Sequence, residues 1–214
     1  MHKLQRGAAP TCLAHYQHGR DDWSQVSSAD KAAIWRELDD MQGKRCAYCE
    51  ADISNTNNKH IEHFRQRGRF PQGTFDWSNL FGSCSREESC GKHKDQCGAY
   101  NPADIVKPDV DDPEQFFVFV SDGAIAIRQG LSPQDQHRAS ETLRVFNLND
   151  QNGPLRWMRH RAVAGYTQTA EELHEWAAVL DQTEWLSYLQ SELTATSHLP
   201  FATAIKHVLL SQKP

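Results

Sequence analysis

The sequence predicts an α+β protein in which a small metal-stapled module is embedded among helices. Three observations carry this. Five of the six cysteines fall between Cys46 and Cys97, and the first two form a CxxC. Two β-prone runs, FFVFV and AIAIR, flank Ser121-Asp122-Gly123, a strong hairpin signal. After Gly153-Pro154, apolar residues recur at helical spacing almost to the end.

The elements follow in order, and four segments are expected: 1–43, 44–100, 101–150 and 151–214. The first is an arm ending in a helix. Ser27 or Ser28 can cap it, Asp30 suits its first turn, Ile34, Leu38 and Met41 share a face, and Gly43 closes it. The cysteine-rich module then runs to Tyr100, and Asn101-Pro102 with the acidic DVDDPE stretch reads as a connection. The hairpin comes next. Ser132, Pro133 and Asp135 open a helix that stops near Asn147-Leu148-Asn149-Asp150. In the last segment Leu155, Met158, Ala162, Val163 and Tyr166 form one apolar face. Leu173, Trp176, Ala177 and Leu180 continue it, and Pro200 opens a final helix. Trp157, Trp176 and Trp185 are expected in the core.

With 214 residues the chain can bury one good-sized core. A net charge of -5 argues against bulk coating of nucleic acid, yet charge is uneven. Lys59, Arg65, Arg67, Arg69, Arg86, Lys92 and Lys94 face only Glu62, Asp76, Glu87 and Glu88 in their window, a local basic patch suited to phosphodiesters. No apolar run is long enough to span a membrane, and the first twenty residues lack the apolar stretch of a secretory signal. A cytoplasmic location is expected. Its reducing conditions disfavour disulfides, so the clustered cysteines read as metal ligands.

Cys46 and Cys49 can reach one tetrahedral Zn²⁺ from a tight turn. Cys84 and Cys90 are the best second pair, with Cys97 as an alternative to Cys90. Four thiolates leave no open coordination position, so this zinc is structural. Glu62-His63 is a different signal. On a strand, His60 and Glu62 share a face and His63 opposes them, a parity that suits a common site only if a bulge intervenes.

The order CxxC, Glu-His, Asn-Leu, then cysteines ahead of a last histidine resembles the HNH nuclease family, whose ββα-metal fold holds a catalytic ion between a hairpin and a helix. The resemblance implies His63 as general base, Asn79 as the middle Asn, and His93 as third motif residue and metal ligand. Glu62 falls where the family's acid binds the same ion. The segment SREESCGK lengthens the usual spacing before the third residue. Phosphodiester hydrolysis suits a neutral histidine and a hard cation, Mg²⁺ or Mn²⁺. Arg65, Arg67, Arg69, Lys92 and Lys94 are the expected phosphate handles.

CAYCE, EHFRQRG, DWSNLFGSC, CGKHKD, FNLND and PFATAIK together look like one branch of that family, the PtuB-like nuclease subunit of Septu antiphage systems, also found attached to retrons. That resemblance implies a PtuA-like ATPase of the ABC/SMC type as partner. In retron versions it implies a reverse transcriptase and its RNA-DNA product. The 151–214 helices would then be docking surfaces, and the substrate DNA or RNA. Two other readings compete. His60-Ile61-Glu62 matches the HxE of zinc deaminases, but there the HxE precedes the cysteine pair. A non-catalytic zinc module that binds nucleic acid or a protein would use the same cysteines and arginines.

Overall fold

A computed structural model describes residues 1–211. The chain is a mixed α+β protein with two small antiparallel sheets and seven α-helices among those residues. The first helix, α1, is Ser28–Gln42. Ser27 caps it by accepting from the Asp30 amide, and Gly43 ends it in the left-handed region. Its inward face buries Ile34 and Leu38.

Strands β1 (Lys59–His63) and β2 (Leu80–Cys84) pair antiparallel, from Lys59 opposite Cys84 to His63 opposite Leu80. Helix α1 fixes this hairpin through a buried side chain. Gln42 donates from Nε2 to the Gly82 carbonyl and accepts the Gly82 amide at Oε1, at 2.9 and 2.8 Å. A Cβ at Gly82 would lie 2.8 Å from the Trp35 ring, so only glycine admits this approach. Beyond β2, the short helix α2 (Cys90–Gln96) crosses back against the hairpin.

The second hairpin, β3 (Phe117–Phe119) and β4 (Ile125–Ile127), turns at Gly123 with φ of 82°. Helix α3 (Pro133–Val145) starts at Ser132 as expected. Four helices complete the chain: α4 (Pro154–Ala164), α5 (Thr167–Ala177), α6 (Gln182–Thr196) and α7 (Ala202–Leu210). The buried Arg159 of α4 donates to the Gly123 and Leu148 carbonyls, tying the helices to the hairpin.

One core gathers residues from all four segments, from Met1 and Leu4 through the cysteine module to Leu209. A second, smaller core sits under the arm, where Cys12, Leu13 and Val26 meet Ile34, Leu38, Trp77 and Leu80. The expectation for the tryptophans needs correction. Trp185 is buried, but Trp157 is 59% exposed and Trp176 38% exposed. Their place within apolar helical segments pointed to the core, yet both side chains stand exposed.

A four-cysteine centre and the His63 cleft

Cys46, Cys49, Cys84 and Cys90 are all buried, and their sulfurs lie within 4.8 Å of one another. Among the described residues this is the one group of three or more His, Cys, Asp or Glu side chains whose ligand atoms converge. It could hold a zinc ion in a closed tetrahedral site. Three local devices deliver the four ligands. The CxxC turn delivers Cys46 and Cys49, the end of β2 delivers Cys84, and Cys90 opens α2. Cys97 lies outside the cluster, half-buried, with its thiol on the Lys94 carbonyl.

Three non-glycine residues of this scaffold have positive φ: Lys44 at 57°, Glu50 at 64° and Cys90 at 56°. Such conformations persist only where surroundings over-determine them. Burial pushes the Cys46 thiol up, but hydrogen bonds from the other three thiols outweigh it and bring it well below its usual value. Its charge in turn raises Cys49 through their shared hydrogen bond. Arg86 and Arg159 lie within the field of these thiols and suit the negative charge of a zinc tetrathiolate.

The strand β1 is regular through all five of its pairs, with no bulge. His60 and Glu62 therefore share one face and His63 leaves from the other. On its own face His63 is 6% exposed, and its Nε2 lies 2.9 Å from the Thr74 carbonyl. Because a carbonyl only accepts, Nε2 carries the proton and Nδ1 keeps a lone pair. Burial lowers the His63 pKa to about 4, so the ring is neutral at pH 7. The Trp23 ring stands edge-on to it at 4.6 Å.

Asn79 is buried and pins the loop that follows His63. Its Oδ1 accepts the Arg65 amide at 2.7 Å, and its Nδ2 donates to the Arg65 and Gly73 carbonyls. That loop exposes Arg67 and Arg69. With Arg20, Asp22, Trp23 and Thr74, Arg67 lines a cleft of about 530 Å³ beside His63. The arm's contribution left no motif in the sequence; a lone Trp23 among polar residues signals nothing by itself.

The remaining candidates are placed differently. Arg65 pairs with Asp76 at 2.9 Å and Lys92 with Glu87 at 3.3 Å. Lys94 is not at the surface: it is fully buried, with Nζ 2.6 Å from Glu62 Oε1, 2.9 Å from the His63 carbonyl and 2.7 Å from Asp95. Glu62 Oε2 is 3.0 Å from His60 Nε2. His93 points elsewhere, with Nδ1 2.9 Å from the Val145 carbonyl on α3. Glu62 is therefore engaged by Lys94 and His60, and the Val145 bond engages one of the two ring nitrogens of His93.

No family model matches the chain. Among curated proteins it is similar to the Septu protein PtuB of Bacillus thuringiensis, with 29% identity over 112 residues. The match covers 52% of this chain and only 40% of that protein, a distant Septu-like relationship.

Proposed function

We propose that the chain is a nuclease of the HNH kind that hydrolyses phosphodiester bonds and acts in a Septu-like antiphage defence. The observation that carries the reading is the His63 tautomer. The Thr74 carbonyl holds the proton on Nε2, so the buried, neutral ring keeps Nδ1 as a base beside Thr74 and Trp23, two residues that line an arginine-bearing cleft. The hairpin β1–β2, the helix α2 and the four-cysteine staple supply the ββα frame that such a site needs.

In this reading His63 Nδ1 takes the proton of the attacking hydroxyl, whether of water or of the substrate. Arg67 and Arg69 bind the flanking phosphates, and Asn79 keeps the loop that carries them in register with His63. Zinc in the cysteine centre keeps the frame rigid and takes no part in the chemistry.

The similarity to PtuB supports a defence role and an ATPase partner of the PtuA kind. A retron reverse transcriptase with its RNA-DNA product would be a further component. The exposed Trp157, Trp176, Val179, Leu186 and Tyr188 on α4 to α6 are consistent with a protein partner on residues 151–214.

The test is cleavage of DNA and of RNA by the zinc-loaded chain together with its ATPase. His63→Ala should reduce cleavage at least ~100-fold, in line with loss of a general base, while zinc content stays unchanged and the chain stays folded. Equal cleavage by that variant would remove His63 from the chemistry. A second reading, a non-catalytic zinc module, is favoured by the engagement of Glu62 with Lys94. It predicts nucleic-acid binding with no cleavage by either form.

A further inference from the structure

Glu62 is the one carboxylate that the motif offers to a catalytic cation, and the structure surrounds it completely. Lys94 Nζ touches Oε1 at 2.6 Å in a contact that is electrostatic rather than well aligned, and His60 touches Oε2 at 3.0 Å. The side of the carboxylate that faces α2 meets Gly91. A Cβ there would lie 2.4 Å from Oε2 and 2.6 Å from Cδ, so the helix presents bare backbone and no ligand opposite Glu62. His93, two residues on, donates from Nδ1 to the Val145 carbonyl. The regular register of β1 also keeps the His63 side chain on the opposite face.

We infer that the ammonium of Lys94 is the resident cation of the Glu62 seat, fixed there in place of a divalent ion. Three oxygens surround Nζ: the Glu62 carboxylate, the His63 carbonyl and Asp95. Nζ donates hydrogen bonds to the His63 carbonyl and Asp95, and its third contact is the ion pair with Glu62. Burial opposes the charge, but Glu62, Tyr100 and Asp95 together outweigh it and keep Lys94 protonated. Mg²⁺ demands near-ideal octahedral oxygen ligation and gives up its waters reluctantly. A buried carboxylate with an ammonium already on it is a poor competitor for that ion.

Lys94 is then a positioning residue for the His63 site. It ties the acid of one strand face to the backbone of the residue that carries the base. This deepens the nuclease reading and rests on it for the role of His63. The cation itself is tested apart from activity.

The decisive measurement is Mn²⁺ binding to the zinc-loaded full chain, followed by electron paramagnetic resonance, for wild type and Glu62→Gln. Wild type should bind no Mn²⁺ that Glu62→Gln removes, at concentrations to about 1 mM, a range where a dedicated carboxylate site would fill. One Mn²⁺ bound by wild type and lost in Glu62→Gln would overturn the inference. Lys94→Ala should create a Glu62-dependent Mn²⁺ site at least tenfold tighter than any in wild type, and its absence in a folded variant would count against the inference. If Lys94→Ala does not fold, the first comparison decides alone. Loss of cleavage in His63→Ala bears on the nuclease reading and leaves this result untouched.

Discussion

His63 carries the clearest consequence of its surroundings. Its folded pKa of about 4 lies below the ordinary histidine value of 6.5, and burial is the main cause. As pH falls below 6.5 the unfolded chain takes up a proton that the folded chain refuses. The stability that His63 allows at pH 7 is therefore lost as pH falls through 6.5 toward 4, by up to about 3 kcal/mol. For activity the sign is the same but the position differs. The acid limb of kcat/KM should fall near pH 4 rather than 6.5, and a limb at 6.5 would place the base elsewhere. At Lys94, replacement by Met strands a buried carboxylate and should cost about 3–5 kcal/mol in urea unfolding. The double variant Glu62→Gln/Lys94→Met should cost markedly less, because both charges go together. His63 and Asn79 were legible as motif residues. Lys94 was not, since a lysine in the short run CGKHKDQ reads as a surface charge. Only the packing of α2 against β1 turns it inward.

Among the elements, the loop between β1 and β2 depends on one side chain. Asn79→Ala removes three buried hydrogen bonds to the Arg65 and Gly73 backbone, and should lower stability by about 2–3 kcal/mol while releasing Arg67 and Arg69. Hydrogen exchange confined to residues 65–73 would check this. Helix α7 is latched in a different way. Glu114 accepts from Lys206 and His207, and those partners hold its pKa near 2, below the ordinary 4.5. This latch is in force above pH 4.5 and is lost as pH falls through 2. Since Glu114 stays partly exposed, Glu114→Gln should cost only about 1 kcal/mol at pH 7. Element boundaries were legible where capping chemistry marks them, as at Ser27, Gly43 and Ser132. The final helical segment showed its period and, at Pro200, its last break, but not the two earlier ones, because Tyr166 and Asp181 precede new helices without a strong shared signal.

Across the whole molecule, the shared core makes the cysteine centre a structural hub. Cys46, Cys49, Cys84 and Cys90 stand in the same cluster as Phe146, Leu155 and Leu209. Stripping the zinc with a strong chelator should lower the melting temperature by about 10 °C or more, as expected for loss of several kcal/mol in a chain of this size. It should do so in one transition, with the C-terminal helices melting alongside the cysteine module. An unchanged melt for α4 to α7 would make those helices an independent unit. The α+β class and the four cysteine ligands were readable from spacing. The arm was not, for Arg6 reaches Asp109 and the Trp77 and Leu80 carbonyls across stretches of chain that no local pattern connects.

The turn that follows the CxxC has one more contact. The Glu50 carbonyl accepts the Phe201 amide, and its carboxylate accepts the Thr203 amide, so the start of α7 closes over the first cysteine pair. During synthesis the ribosome delivers Cys46 and Cys49 long before Phe201 and Thr203. The four sulfurs are all present once Cys90 is made, but the cover over the first pair waits for residues added some 150 positions after the CxxC turn.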